Sequence, residues 1–166
     1  MPYKNVLSFH TEPMQDSQCL IPGTVGCCPD NCRKCIQSCP TGALSLKGYD
    51  MNKCLAYWTT QHKGEIPNEY ALAMGDVLWG CDRCQLCCPR TRDNAIPAPI
   101  DNPLNTLTLR EILSLSGRQL RKRLEHTAIA DAHPYMLQRN ACIVIGNTCN
   151  RDCIEELNHA VQTHTC

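Results

Sequence analysis

The sequence has little aromatic bulk, no excess of charge of either sign and no long apolar run. One Phe, two Trp and five Tyr are its only large rings among 166 residues, and its mean hydropathy is −0.32. So few large side chains leave part of the chain short of core, and that part needs another source of stability. The 16 Lys and Arg balance the 16 Asp and Glu. A neutral chain carries no acidic or basic tail and gains nothing from charge at a membrane surface. No stretch of about 18 apolar residues occurs, which excludes a helical membrane span. The opening MPYKNVLSFH lacks the apolar heart of a secretory signal. The expected compartment is cytoplasmic, where disulfides do not persist. No nucleophile elbow, phosphate-binding glycine loop or paired-carboxylate motif is present. His10, His62, His126, His133, His159 and His164 show no metal-ligand spacing and are expected to be solvent or structural residues.

Cysteine is what the chain has in quantity: 15 residues, 11 of them between Cys19 and Cys88 and none between Cys88 and Cys142. An odd count fits a disulfide scaffold poorly, and in a reducing compartment metal ligation is the expectation. The step in cysteine density coincides with Pro97, Pro99 and Pro103, which disfavour helix and mark residues 94–103 as an extended connector. Three segments follow: an N-terminal extension over 1–19, a cysteine-rich part over 20–100 and a helical part over 101–166. The expected class is α+β, mostly helical and loop-rich.

Two cysteine clusters repeat one spacing. Cys28-Pro-Asp-Asn-Cys32-Arg-Lys-Cys35-Ile-Gln-Ser-Cys39-Pro40 and Cys81-Asp-Arg-Cys84-Gln-Leu-Cys87-Cys88-Pro89 each contain C-x2-C-x3-C-P. That is the spacing of bacterial two-cluster ferredoxins, where the Cys before Pro serves the other cluster. A tight loop can aim neighbouring thiolates at one cubane, and Pro fixes the chain after the last Cys so that its thiolate points elsewhere. Two 4Fe-4S cubanes need eight thiolates. The motifs supply Cys28, Cys32, Cys35, Cys39, Cys81, Cys84 and Cys88, and Cys54 lies between them as a candidate eighth. The crossed pattern puts Cys28, Cys32, Cys35 and Cys88 on one cluster and Cys39, Cys54, Cys81 and Cys84 on the other. Cys27 competes with Cys28, because C-x3-C stands where C-x2-C is expected. A zinc ribbon is the alternative, although one zinc needs only four ligands and leaves both Cys-Pro endings and Cys54 without a purpose. Cys19, Cys87, Cys142, Cys149, Cys153 and Cys166 are expected to be small apolar fillers or thiols.

Helices are expected over 52–61 and 67–74, the latter opened by Pro67 and stopped by Gly75. Thr108-Leu-Arg-Glu111 is a capping box ahead of Leu109, Ile112 and Leu113. Ser116 caps a helix over 117–126, Pro134 opens one running to Ile145 with Gly146 as its stop, and a last helix starts at Asn150 or Asp152. Ile154, Leu157 and Val161 are its expected buried stripe. Antiparallel helix pairs with short turns are the natural packing. Arg118, Arg121, Lys122 and Arg123 form the one dense basic stretch, either a solvated helix face or a nucleic-acid contact.

Cys32-Arg-Lys-Cys-Ile-Gln-Ser-Cys-Pro-Thr-Gly-Ala-Leu44, Lys53-Cys-Leu-Ala-Tyr57, Gly64-Glu-Ile-Pro67 and Gly80-Cys-Asp-Arg-Cys-Gln-Leu-Cys-Cys-Pro89, in that order, resemble the epoxyqueuosine reductase family. Leu137-Gln-Arg-Asn-Ala-Cys-Ile-Val-Ile-Gly-Asn147 is similar to that family's C-terminal HEAT-like repeat, which contacts tRNA. The likeness covers about residues 20–160. It implies two 4Fe-4S clusters, the Cys54 assignment and the crossed ligation, in a ferredoxin-like double-cluster module followed by a HEAT-like module. The family performs the last reduction of queuosine synthesis at the tRNA wobble position and uses cobalamin, held with the catalytic acid in a large N-terminal domain. Residues 1–27 are too few for such a domain, so the expectation is the C-terminal half alone, with cobalamin only through a partner. No catalytic residue is assigned.

The expected function is electron transfer, from a flavodoxin or ferredoxin to a partner's cofactor, with a corrinoid protein as candidate. Two alternatives stand beside it. One is a tRNA-modifying reductase component, an oxidoreductase of the epoxyqueuosine type working with a separate cobalamin subunit. The other is an RNA- or protein-binding module with structural or redox-sensing clusters.

Overall fold

The computed structural model describes residues 28–29, 31–90 and 107–163. The connector over 94–103 and Cys19, Cys27 and Cys166 lie outside the described residues.

The described chain is mostly helical, with one small hairpin. Helix α1 (Lys34–Ser38) leads to strands β1 (Leu44–Ser45) and β2 (Gly48–Tyr49), paired antiparallel with Leu44 opposite Tyr49. Then come α2 (Leu55–Thr60), α3 (Asn68–Met74), α4 (Arg83–Leu86), α5 (Leu109–Ser114), α6 (Gly117–Leu124), α7 (Pro134–Thr148) and α8 (Ile154–Thr163). Local chemistry accounts for most boundaries. Thr108 and Glu111 close one capping box, and Ser116 and Gln119 close a second, each satisfying two backbone donors at a helix start. Gly75, at φ +59, ends α3 in a conformation that costs a side chain dearly.

Three expected elements differ. The helix over 52–61 is interrupted: Asp50 accepts from the Asn52 N–H and forms a 3-10 turn over Met51–Lys53, and Cys54 is extended (φ −76, ψ 124) before α2 begins. Helix α7 passes Gly146 and stops at Cys149, which is left-handed at φ 50. The Thr148 hydroxyl donates to Val144 O at 2.7 Å, and Asn150 N–H reaches back to Ile145 O at 3.2 Å, a Schellman-type end that does not need glycine at 146. In α8 the stripe is rotated. Val161 is 78 % exposed and Ile154 48 %, while Cys153 and Ala160 are buried and Leu157 packs on the core. A 3-10 turn over Arg151–Cys153 precedes the helix and sets its face.

Helix α7 organises the packing. Leu137, Ala141 and Ile145, four apart, face Leu78, Ile112, Leu113, Leu120, Leu124 and Ala160. Val144, on the adjoining row, packs with Leu55, Ile66 and Met74. A helix apolar on two faces belongs between layers, and α7 lies against α2 and α3 on one side and α5 and α6 on the other. Its polar residues bridge the same gap. Asn140 Nδ2 donates to Thr59 O and Leu78 O, both at 2.9 Å, and Asn147 Nδ2 donates to Ala71 O and Gly75 O at 2.7 and 3.1 Å. The Arg139 guanidinium donates to Trp58 O, His62 O and Gly64 O. Loose carbonyls at the ends of α2 and α3 are thus satisfied by side chains far away in sequence. The burial this entails pushes the Arg139 pKa down from its ordinary value.

Candidate metal centre

The two cysteine motifs fold alike. Arg33 and Asp82 precede their helices with nearly equal backbone angles (φ −131, ψ 18 and φ −109, ψ 13), and Cys35 and Cys84 are each the second residue of the helix that follows. Ser38 and Cys87 stand at equivalent places before Cys39 and Cys88. Each turns its hydroxyl or thiol to a carbonyl three residues back, Cys35 O at 3.1 Å and Cys84 O at 3.2 Å. Helices α1 and α4 pack on each other.

A cavity of about 70 Å³ is lined by Cys39, Cys54, Cys81 and Cys84 together with Leu44, Tyr49, Leu55 and Arg83. Four thiols from three separate segments therefore face one small, mostly apolar hollow. Cys39 follows α1, Cys54 ends the 3-10 turn before α2, and Cys81 and Cys84 bracket the start of α4. Arg83 holds this last segment against α3 by donating to Ala73 O and Met74 O at 3.1 and 3.3 Å.

The thiols have distinct environments. Burial pushes Cys39 up, but hydrogen bonds from the Thr41 side chain and the Thr41, Leu44 and Ala43 backbone outweigh it, leaving its pKa below the ordinary value. Ala43 N–H lies 3.2 Å from its sulfur. Burial pushes Cys81 and Cys84 up, and for Cys84 the neighbouring Cys81 adds to the shift. The Tyr49 phenol is pushed up to about 12, first by its hydrogen bond to Cys54 and then by burial and the surrounding thiols.

The other four predicted cysteines do not line this cavity. Cys28 is exposed, Cys32 is half-buried just before α1, Cys35 is half-buried within it, and Cys88 is half-buried just beyond α4. The packing of α1 on α4 relates them. Among the described residues no three His, Cys, Asp or Glu side chains converge as a single ion requires. Ligands of one tetrahedral zinc lie about 2.3 Å from the metal and so under about 4 Å from each other, whereas a cubane interposes an iron for every thiolate and keeps the sulfurs farther apart. The donor chemistry, four thiols lining one hollow, suits the larger group. A second hollow, of about 310 Å³, is lined by Leu113, Ser114, Glu155, Glu156 and His159 and holds none of the predicted cysteines.

Sequence reasoning missed Tyr49, Thr41, Thr59 and Asn140 around this centre. Only Thr41 carried a local signal, the Cys-Pro-Thr-Gly turn that leads away from Cys39. No helix among the described residues is long and apolar enough to cross a membrane.

A family model for a 4Fe-4S double cluster binding domain matches residues 27–91, which contain both motifs. An uncharacterized protein encoded in the gldA 3′ region of Geobacillus stearothermophilus is 36 % identical over 132 residues, covering 76 % of this chain and 61 % of that one. Epoxyqueuosine reductase of Aliivibrio fischeri is 34 % identical over 128 residues, 74 % of this chain and 34 % of the reductase. The crystal structure of an epoxyqueuosine reductase with an epoxyqueuosine-modified tRNA-Tyr stem loop superposes with a TM-score of 0.70 at 27 % identity, covering 78 % of this chain and 36 % of that one. The chain thus spans about a third of the length of the reductases it matches. Cysteine motifs, sequence and fold all point the same way: the chain carries a match to a 4Fe-4S double cluster binding domain and is similar to epoxyqueuosine reductases over about a third of their length.

Proposed function

We propose that this chain is an electron-transfer protein that holds two 4Fe-4S clusters. The observation that carries the reading is the gathering of Cys39, Cys54, Cys81 and Cys84 around one cavity. These four would bind one cluster, and Cys28, Cys32, Cys35 and Cys88 the other. Such clusters supply one-electron carriers whose potential depends on hydrogen bonds to sulfur and on exposure. The chain's own part is to place the thiolates, to direct Ala43 N–H and the Thr41 and Tyr49 hydroxyls at Cys39 and Cys54, and to exclude water with Leu44 and Leu55. Electrons would be taken singly from a flavodoxin or ferredoxin and handed to a partner's cofactor, a corrinoid being the candidate from the family likeness. Residues 20–100 would form a ferredoxin-like module and 101–166 a HEAT-like one.

Anaerobic purification with iron and acid-labile sulfide analysis tests the core of this reading, with EPR of the reduced protein. About eight iron per chain and two interacting S = 1/2 centres are expected. One zinc without sulfide ends the proposal.

A second reading is a queuosine-pathway reductase component acting on tRNA with a separate cobalamin subunit. The solved relative with a bound tRNA stem loop favours it, as do the exposed Arg118, Arg121 and Lys122 on α6, beside the half-buried Arg123. Co-purification with a corrinoid protein from the native host supports it, and recovery without any corrinoid partner counts against it.

A further inference from the structure

We infer that Asn140 and Thr59 act together as positioning residues for one cluster, setting the separation of Cys54 and Cys81 from outside the cysteine-rich segment. The inference rests on the assignment of Cys54 and Cys81 as ligands of the same cluster.

Cys54 and Cys81 come from segments that nothing in the sequence joins. Cys54 is the residue from which α2 springs, and Cys81 follows Gly80, whose φ of +71 turns the chain toward the cavity. Their relative position depends on how α2 is fixed to the loop over 78–80. Thr59 makes that join. Its Oγ1 donates to Leu55 O at 2.8 Å and accepts from Gly80 N–H at 3.1 Å, so one hydroxyl ties the first residue of α2 to the residue before Cys81. Asn140 joins the same two segments a second time, donating to Thr59 O and Leu78 O at 2.9 Å each.

The amide cannot swing away. Its Oδ1 accepts from Arg139 Nε and Nη2 at 3.1 and 2.9 Å, which leaves only the NH2 group to face the two carbonyls. Thr59 and Asn140 are both 0 % exposed. In a fully buried and fully satisfied network, losing one member strands the others without partners, and the backbone must move to recover them. Here the backbone that would move carries two of the four thiolates. Cys39 and Cys84 are held by other contacts, so the disturbance distorts one ligand set and leaves the Cys28, Cys32, Cys35 and Cys88 set alone.

The test is a redox titration of the anaerobically loaded chain, followed by EPR, with Cys54→Ser used to identify which centre belongs to Cys54. Thr59→Val keeps the shape and removes the hydroxyl. It should change the one-electron equilibrium constant of the Cys54 centre at least about threefold, about 30 mV at 59 mV per tenfold. The other centre should stay at its wild-type potential. Thr59→Ser, which restores the hydroxyl, should return the shifted centre to that value, and Asn140→Ala should move the same centre. If Thr59→Val does not fold, Thr59→Ala gives the same comparison. The inference is overturned if both potentials stay put, if both move equally, or if Thr59→Ser shifts as far as Thr59→Val. A wild-type chain that loads fewer than two clusters defeats the reading of the site itself, and this inference with it. That outcome is visible in the iron analysis before any variant is made.

Discussion

Ser38 Oγ lies 3.0 Å from Cys87 Sγ, and the two residues occupy the same place in the two copies of the cysteine motif. Each also reaches the carbonyl of the cysteine three residues before it. The contact is thus a meeting of equivalents across the α1–α4 junction, and it gives Cys87 a purpose that is neither ligand nor filler. Cys87→Ser should leave both clusters in place and shift the thermal midpoint little, because a hydroxyl can make the same two contacts. Cys87→Leu should separate α1 from α4 and lower the midpoint, because overpacking costs about 1–3 kcal/mol of stability. Differential scanning fluorimetry with iron analysis checks both; a serine variant that loses half its iron would make Cys87 a ligand instead.

The parts of this structure that were legible in the sequence are those whose cause is local. Thr108 and Glu111 announce their capping box and Gly75 its helix end; of the cysteines around the cavity, Cys39, Cys81 and Cys84 belong to the C-x2-C-x3-C-P repeats and Cys54 does not. The connections of Asn140 and Asn147 were not legible, because they pair side chains with carbonyls 62 to 81 residues away. Apolar periodicity says nothing of such bonds. It also misled at Val161, where a 3-10 turn upstream rotates α8 by one position and puts Ala160 on the core instead.

Replacing Cys54 by Ser separates ligand from bystander. The variant should retain about four of about eight iron and lose one of the two EPR signals. Cys142→Ser, on the core side of α7, should keep both clusters. Eight iron in the Cys54 variant removes it from the ligand set.

The rotated face of α8 has an energetic consequence. Val161→Ser should change stability by no more than about 0.5 kcal/mol, as exposed sites do. Leu137→Ala, at 0 % exposure in the main core, should cost about 2–5 kcal/mol. Chemical denaturation of the loaded protein measures both, and comparable losses at the two positions would restore Val161 to the core.

Removing the iron should unfold the chain unevenly. Between residues 31 and 54 Ala43 is the one buried residue, whereas α5 to α7 contribute Ile112, Leu113, Leu120, Leu124, Leu137 and Ile145 to a shared core. The thiolate loops have little but the clusters to order them. After chelation, hydrogen exchange should show protection lost over 31–54 and 80–90 and kept in α5 to α7. Equal loss throughout would mean that the two parts fold as one unit.

The basic residues of α6 present two physical roles that a single double variant can separate. Arg121, Lys122 and Arg123 occupy the last turn of the helix, where positive charge favours the helix dipole by about 0.3–1 kcal/mol each at most. Arg118 sits in the first turn, where that argument runs the other way, so the helix dipole does not account for its positive charge. If the tRNA reading holds, Arg118→Glu with Arg121→Glu should weaken binding to a tRNA anticodon stem loop. It should also flatten the plot of log affinity against log salt by about 0.7–0.9 for each phosphate that is no longer neutralised. The change in thermal midpoint should be modest, since Arg118 and Arg121 are exposed. Fluorescence anisotropy between low and moderate salt reads the slope directly. An unchanged slope with a lowered midpoint would assign these charges to the helix alone.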